Sequence, residues 1–170
     1  KHNAYNALAA AALGQFLGVD DDTIGLTLSN FKPFSRRSEV VRLGQVTVVN
    51  DSYNANPGSM RAALEMLAEM EGQRKIVLLG DMLELGPSGP QLHVEMGRIA
   101  AEVADLVFTT GALGQHIADG ARAAGAEYVT HFVEKETAIA KLKSTLVADD
   151  ILLVKASRGL ELWHVVEAIG

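Results

Sequence analysis

Residues 46–70 read VTVVNDSYNANPGSMRAALEMLAEM, in which a β-branched run, a polar loop and an amphipathic run follow one another directly. The run VTVV predicts a buried strand. The apolar residues of the third segment recur at helical spacing and predict the buried face of a helix: Met60, Ala63, Leu64, Leu67 and Met70. A strand, a loop and a helix in this order are the first half of a crossover between parallel strands.

The same alternation of short β-branched runs and longer amphipathic runs continues to the end of the chain. Strands are predicted at residues 39–43, 46–50, 75–79, 106–110, 128–132 and 151–155. Helices are predicted at residues 59–70, 90–103, 113–124, 134–146 and 160–169. Gly44 predicts a hairpin between the first two strands, and therefore one antiparallel edge strand. The sequence thus predicts an α/β fold, with a Rossmann-like, mainly parallel six-stranded sheet and helices on both faces.

The first part of the chain has a different composition. Residues 3–17 and 20–29 predict two helices, the first rich in alanine and the second with acidic residues in its first turn. No β-branched run occurs before residues 32–35, where the pattern changes. We therefore predict a helical piece at residues 1–32 and the sheet domain at residues 33–170.

Composition excludes several classes of function. The net charge of -6 and the absence of like-charge blocks give no support to nucleic-acid binding. No cysteine is present, so disulfides and thiolate metal sites are excluded, and no histidine pair has metal-ligand spacing. The run ALAAAALGQFLG is too short and too rich in alanine to span a bilayer. We expect a soluble, cytoplasmic protein with no metal site of its own.

Polar residues follow several of the predicted strands. In open α/β sheets, ligands bind outside the carboxyl ends of the strands. Residues 50–58 hold more side-chain amides than a turn needs, Asp81 follows the strand at 75–79, and KASRG follows ILLV near a predicted helix start. The alternative for each is an ordinary turn, with Ser59 as a helix cap in the first case. No GxxxxGK[ST] phosphate loop occurs in the chain.

The histidines and the first helix offer weaker signals. His93, His116 and His164 fall on predicted helices and are interpreted as surface or interface residues, whereas His131 falls in a predicted strand. Asn3 and Asn6 lie one turn apart on one face of the first helix, which indicates either caps or hydrogen-bonding groups.

Five segments together resemble the Mur ligase family. They are HNAYNALAA, RRSEVV, NDSYNANPGSM, LLGDMLELG and LLVKASRG, in that order. The resemblance covers essentially the whole chain and implies the C-terminal part of such a ligase. It also implies that an N-terminal UDP-substrate domain and most of a central ATPase domain, with its GKT loop, are missing partners. Ala156 departs from the glycine that the family often has in LVKGSR.

Within the family, SYNANP is associated with the member that adds D-Ala-D-Ala to UDP-N-acetylmuramoyl-tripeptide in peptidoglycan precursor synthesis. The resemblance therefore implies amide-bond formation with ATP and Mg²⁺ through an acyl phosphate, and a fragment that is inactive alone. Two alternatives stay open: a dipeptide-binding module that works alone, and a sister ligase of the folylpolyglutamate or cyanophycin synthetase type. A DNPR motif, expected for the diaminopimelate-adding member, is absent.

The resemblance also implies roles for individual residues. It places Asn3 and Asn6 beside the nucleotide, Arg37 at the ATP phosphates and Asp51 at the ribose hydroxyls. Asn54 and Asn56 would position the dipeptide and the acceptor end of the tripeptide, with Arg37, Asn54 and Asn56 acting in catalysis. The remaining predicted substrate-binding residues are Ser52, Tyr53, Asp81, Lys155, Ser157 and Arg158, of which the last three would hold the dipeptide carboxylate.

Overall fold

The structure, a computed structural model, describes residues 2–31 and 35–170, with the side chains of His2 and Asn3 outside the described part. The chain divides into two compact units, Lys1–Pro33 and Phe34–Gly170. The boundary predicted at residues 32–35 falls mainly on residues outside the described part. Each unit is described by itself below.

The first unit consists of two helices, α1 (His2–Phe16) and α2 (Asp21–Ser29). Asp20 caps α2, because its side chain accepts a hydrogen bond from the Thr23 N–H at 2.9 Å. The two predicted helices are therefore confirmed. Across the parts of both units that the structure describes, no helix combines the length and apolar character needed to cross a bilayer.

The second unit is built on a six-stranded sheet. Its strands are β1 (Glu39–Leu43), β2 (Val46–Asp51), β3 (Arg74–Leu79), β4 (Leu106–Thr110), β5 (Tyr128–Phe132) and β6 (Asp150–Lys155). The strand order is β1-β2-β6-β3-β4-β5. Only the β1–β2 pair is antiparallel, and the other four pairs are parallel. The predicted mainly parallel sheet with an antiparallel edge strand is confirmed.

Helices cover both faces of this sheet. They are α3 (Pro57–Glu69), α4 (Gly89–Val103), α5 (Gly114–Ala123), α6 (Lys135–Thr145) and α7 (Trp163–Ile169). The apolar sides of α3, α4 and α5 pack on one face of the sheet, and those of α6 and α7 pack on the other. Met60, Ala63, Leu64 and Leu67 are buried as their spacing predicts, whereas Met70 follows α3 as its C-cap.

Two helices of the sheet unit begin two or more residues away from their predicted starts. The cap of α3 is Asn56 rather than Ser59: Asn56 Oδ1 accepts the Ser59 N–H at 2.8 Å, and Ser59 Oγ accepts the Asn56 N–H at 3.1 Å. This reciprocal pair lets the helix start two residues earlier, with Pro57 at its first position. The start of α7 is later than predicted, because a 3₁₀ turn at Arg158–Leu160 and a left-handed Glu161 precede it.

The topology creates crevices on both sides of β6. This strand lies between β2 and β3, which lead into α3 and α4 on one face, whereas β6 leads into α7 on the opposite face. The loop after β6 therefore diverges from the loops after both neighbours. Such a switch point is where open α/β sheets bind ligands.

Candidate functional site

Ser157 ties together the three loops that leave β2, β3 and β6. Its Oγ accepts a hydrogen bond from the Leu83 N–H at 2.8 Å and donates one to the Ala55 carbonyl at 3.2 Å. Its own N–H donates to the Asp81 carbonyl at 2.8 Å. Because the side chain is buried and both functions of its hydroxyl are occupied, Ser157 fixes the relative positions of these loops.

Lys155, the last residue of β6, is a buried cation. Its side chain is 1% exposed, and Nζ donates to Asp51 Oδ2 at 2.5 Å and to the Asn54 carbonyl at 3.0 Å. Asp51 stands opposite Lys155 in the parallel register of β2 and β6, and its Oδ1 also accepts the Ser38 N–H at 2.8 Å. A buried ammonium group needs such partners. Lys155 thus holds the Asp51 carboxylate, which is 13% exposed.

Asp81 caps α5 from the loop after β3. Its buried Oδ1 accepts the N–H groups of Leu113 and Gly114 at 2.9 and 2.8 Å. Gly111 has φ 95°, and a Cβ there would lie 2.4 Å from Asp81 Oδ1, so the close approach requires glycine. The carboxylate satisfies donors at a helix start, where a negative charge is also favourable.

His93 is buried on α4, so its interpretation as a surface or interface residue is wrong. Its Nδ1 lies 2.6 Å from the Gly89 carbonyl, and its Nε2 accepts the Met82 N–H at 2.8 Å. A carbonyl can only accept, so Nδ1 carries the proton and the ring is neutral. Burial lowers the pKa of His93, against the opposing effects of the Gly89 carbonyl and Asp81. The helical spacing of His93 with Met96 and Ala100 was a signal for this burial.

Ser52 is also buried, and its Oγ donates to Asn50 Oδ1 at 2.6 Å. A set of five buried side chains, all bonded within the protein, thus supports the carboxyl-end loops. We call it the buried network: Ser52, Asp81, His93, Lys155 and Ser157.

Four other predicted site residues of the second unit are exposed, and we call them the exposed rim: Arg37, Asn54, Asn56 and Arg158. The Arg37 guanidinium lies 4.2 Å from the centre of the Tyr53 ring, and that of Arg158 lies 5.9 Å from it. The structure therefore brings Arg37 and Arg158 together on one aromatic side chain, although 120 residues separate them in sequence.

A strained turn presents Arg37. Its neighbours Arg36 and Ser38 both have left-handed backbones, with φ 66° and 48°. Three hydrogen bonds hold the turn: Arg36 N–H to Glu39 Oε2 at 2.9 Å, Tyr53 N–H to the Arg36 carbonyl at 2.9 Å, and Ser38 N–H to Asp51. Strain of this kind persists where the surrounding structure imposes it, and it concentrates at functional sites.

A pocket of about 400 Å³ opens beside Tyr53, at the switch point between β2 and β6. We call it the Tyr53 pocket, and its lining residues are Arg36, Tyr53, Arg158, Gly159, Glu161 and Trp163. The Arg36 guanidinium stacks on the Trp163 ring at 4.4 Å. Sequence reasoning missed Arg36, Glu161 and Trp163, because neither spacing nor composition distinguishes them from ordinary loop and core residues.

Asn3 and Asn6 belong to the first unit. The Asn3 side chain lies outside the described part, and Asn6 is exposed on α1. Their predicted contact with the nucleotide stays a prediction. Within the described ranges, no group of three or more histidine and acidic side chains is arranged to hold a metal ion.

Comparison with known proteins gives a consistent set of relatives. The family described as "Mur ligase, glutamate ligase domain" matches residues 36–158. The chain is 38% identical, over 98% of its length, to the UDP-N-acetylmuramoyl-tripeptide–D-alanyl-D-alanine ligase of Bacillus subtilis, and 38% identical over 99% to that of Escherichia coli. It spans 37% of the length of each of these relatives.

Solved structures agree with this result. MurF from Acinetobacter baumannii matches 99% of the chain with a TM-score of 0.90 and 29% identity, and the match covers 38% of that protein. MurF from Thermotoga maritima in complex with ADP matches 93% of the chain with a TM-score of 0.78 and 25% identity, and the match covers 35% of that protein. The chain therefore belongs to the Mur ligase family and carries its glutamate ligase domain.

Proposed function

We propose that this chain is the C-terminal part of a cytoplasmic, ATP-dependent ligase that adds D-Ala-D-Ala to UDP-N-acetylmuramoyl-tripeptide in peptidoglycan precursor synthesis. The observation that carries the proposal is the exposed rim. Its cations and amides gather at the switch point of the sheet, in a chain that matches relatives with this ligase name over 98–99% of its length. A ligand at this point of the sheet would contact charged and amide groups on loops that the buried network holds in place.

The exposed rim suits the proposed contacts with ligands. Arg37 has the charge for ATP phosphates, and its stacking on Tyr53 limits the conformations that it must lose on binding. Asp51 keeps part of its carboxylate exposed, which a contact with ribose hydroxyls requires, while Lys155 and Ser38 fix its orientation. Asn54 and Asn56 are exposed in the loop that follows Asp51 and would orient the two peptide ends.

The buried network has a different task in this proposal. Lys155 and Ser157 were assigned to the dipeptide carboxylate, but their polar groups are occupied inside the protein. The same holds for Ser52 and Asp81. We assign these four side chains to positioning the loops, and we keep Arg158 as the ligand contact of the KASRG segment.

In the proposed reaction, the tripeptide carboxylate attacks the γ-phosphate of ATP, which gives an acyl phosphate and releases ADP. The dipeptide amine then attacks the acyl carbon and displaces phosphate, and the new amide forms. Reactions of this kind depend on orientation and charge neutralisation, and orientation alone supplies roughly 7–11 kcal/mol. We assign the Mg²⁺ to the missing ATPase domain, whose phosphate loop would hold it together with the β- and γ-phosphates. The missing domains of the same enzyme are the partners that would bring the phosphates to Arg37.

The two alternative functions are less well supported. A dipeptide-binding module that works alone does not explain a match along nearly the whole chain to proteins that are named as ligases. A sister ligase of the folylpolyglutamate or cyanophycin synthetase type is disfavoured by the SYNANP loop and by the names of the relatives.

A chimeric enzyme tests the proposal. The chain would replace the matching 37% of the Bacillus subtilis ligase, and amide formation would be measured with ATP, Mg²⁺, UDP-N-acetylmuramoyl-tripeptide and D-Ala-D-Ala. We expect phosphate release that depends on all three substrates. The chain alone should release no phosphate above background, because it has no phosphate loop.

Control variants and control substrates distinguish a chimera whose parts fit together poorly from a wrong assignment of the function. The chimera should lose activity with Arg37→Gln but keep it with Arg122→Gln, an exposed arginine that pairs with Asp119 on α5. A folded chimera that releases phosphate with glutamate or other single amino acids, but not with D-Ala-D-Ala, would instead support a sister ligase. Robust phosphate release by the chain alone would show that the nucleotide site is assigned wrongly.

A further inference from the structure

Arg36 has a backbone conformation that its residue type does not favour. At φ 66°, a residue with a Cβ is strained, whereas glycine is not. The hydrogen bonds of Arg36 within the turn use its backbone, because its N–H donates to Glu39 Oε2 and its carbonyl accepts the Tyr53 N–H. Glycine would keep both bonds without the strain, so the reason for arginine lies in its side chain.

The Arg36 side chain connects the turn to α7. Its guanidinium lies 4.4 Å from the centre of the Trp163 ring, and its Nη2 donates to Glu167 Oε1 at 3.5 Å. Trp163 and Glu167 are four residues apart on α7, so one guanidinium contacts both across a single turn of the helix. Trp163 is buried, and the neighbouring Val165 and Val166 pack into the core on this face of the sheet. The support that Arg36 contacts is therefore fixed.

Arg37, the next residue, depends on this turn for its position. It is exposed, and its guanidinium lies over the Tyr53 ring. Left-handed residues flank it on both sides, at Arg36 and Ser38. A rotation of the backbone at either of these residues redirects the chain at Arg37 and moves its side chain away from Tyr53. Whatever holds Arg36 in the left-handed region therefore also holds the Arg37 guanidinium in place.

We propose that Arg36 is a positioning residue, which anchors the turn to α7 and thereby places the Arg37 guanidinium for its ligand. The proposal rests on the proposed function, in which that ligand is the phosphate chain of ATP. The contacts of Arg36 with Trp163 and Glu167 offset the strain of its backbone. The stacking is the larger part, because an exposed ion pair contributes little, whereas a partly desolvated guanidinium is attracted to an indole ring.

Two replacements of Arg36 and one control test this role. Arg36→Gly removes the contacts with α7, leaves both backbone hydrogen bonds possible and frees the backbone to leave the left-handed region. Arg36→Lys keeps a charge for Glu167 but lacks the planar group that stacks on an indole ring. Asp149→Gly is the matched control, because Asp149 has φ 64° and bonds Gln45 and Gln73 through its own N–H and carbonyl. It precedes β6, at the end of the sheet opposite to the turn.

Steady-state kinetics of the chimera, with ATP and D-Ala-D-Ala varied in turn, measure the effect on function. Arg36→Gly should lower kcat/KM for ATP by about 5- to 50-fold, because a misplaced group loses orientation, and Arg36→Lys should lower it less. The KM for D-Ala-D-Ala should stay unchanged. In an Arg37→Gln background, Arg36→Gly should change kcat/KM for ATP by less than about threefold, since the group that it positions is already gone. Two losses that multiply in the double variant would overturn the proposal, as would equal losses with Asp149→Gly.

An NMR measurement on the 170-residue chain separates this proposal from the ligase function. Nuclear Overhauser contacts between the Arg37 side chain and the Tyr53 ring should be present in the parent chain and in Asp149→Gly, and absent in Arg36→Gly. The melting temperature of Arg36→Gly should change by about 4 °C or less, because relief of strain offsets the lost contacts.

The two measurements fail in different ways. If Arg37 keeps its contact with Tyr53 in Arg36→Gly, the positioning role is wrong, whatever the chimera does. If the contact is lost in the variant but the folded chimera with the parent sequence is inactive, Arg36 still positions Arg37 and the proposed ligase function fails instead.

Discussion

The buried network and the exposed rim come from the same polar loops, yet they have opposite environments. Lys155 and Arg158 are three residues apart, and both are basic residues of the KASRG segment. Lys155 is 1% exposed and paired with Asp51, whereas Arg158 is exposed beside Tyr53. The difference follows from position: Lys155 ends a strand that is buried between two neighbours, and Arg158 begins the 3₁₀ turn that leaves it.

This contrast shows that a polar loop at a switch point contains two kinds of residue. The buried network satisfies the backbone groups of loops that would otherwise lose hydrogen bonds on burial. The exposed rim makes few bonds within the protein, and we propose that it contacts ligands. Substitutions in the network should therefore affect folding first, and those in the rim should affect binding first.

Lys155→Met should have the largest effect on stability. The change removes one partner of a largely buried ion pair and should cost about 3–5 kcal/mol in the free energy of unfolding. Urea unfolding of the chain at neutral pH measures it. Lys141→Met, at an exposed lysine on α6, is the control and should change stability by about 0.5 kcal/mol or less.

A double variant sharpens this result. If the cost comes from leaving the Asp51 carboxylate without its cation, adding Asp51→Asn to Lys155→Met should recover part of the lost stability. Equal costs for the single and double variants would show that Lys155 stabilises the protein through packing rather than through the ion pair.

His93→Leu should have the next largest effect, and that effect should depend on pH. Removing the ring leaves the Met82 N–H and the Gly89 carbonyl without partners, at a cost of about 2–4 kcal/mol. Because burial lowers the pKa of His93, its contribution is fully present above the ordinary value of about 6.5 and is lost as pH falls through the lowered pKa.

The measurement is thermal unfolding of both proteins between pH 8 and pH 4. The stability difference between them should be greatest above the ordinary histidine pKa and should narrow below it. Burial also lowers the pKa of His131, but that residue is present in both proteins and cancels in the difference. A difference that stays constant with pH would contradict the neutral, bonded state assigned to His93.

Asn56 lies between the two classes, because it is exposed and also caps α3. Asn56→Ala should cost about 0.5–2 kcal/mol in stability, the range for a lost cap. Asn56→Ser keeps a capping oxygen and should lower the stability by only a few tenths of a kcal/mol. In the chimera, both changes should lower kcat or raise the KM for D-Ala-D-Ala, since both remove the amide. Full activity of Asn56→Ser would leave the cap as the sole role of Asn56.

The sequence predicted the architecture well. Periodicity placed all six strands within one residue of their observed ends, because buried β-branched runs and amphipathic helices have distinct repeats. It misplaced the starts of α3 and α7, where local hydrogen bonds decide. The same residues allow two helix starts, one capped by Ser59 alone and one capped by the reciprocal Asn56–Ser59 pair. The structure has the second.

The site was predicted less completely, for a physical reason. The polar loops were identified from the topology rule and the family resemblance, but burial within a loop depends on contacts between distant segments. Ser157, for example, is buried because it bonds Leu83 and Ala55, and no local pattern encodes that. The pairing of Arg36 with Trp163 similarly joins residues 127 positions apart.

Arg37→Gln should have the smallest effect on stability and a large one on function. Its stacking on Tyr53 is exposed, and such contacts contribute about 0.5 kcal/mol. The loss should match that of Arg122→Gln, whose i,i+3 pair with Asp119 is also exposed. In the chimera, Arg37→Gln should raise the KM for ATP or lower kcat, because glutamine keeps a hydrogen-bond donor but not the charge. A loss of about 2 kcal/mol or more in stability, with unchanged kinetics, would place Arg37 with the buried network and remove the distinction between the two classes at the residue where it should be clearest.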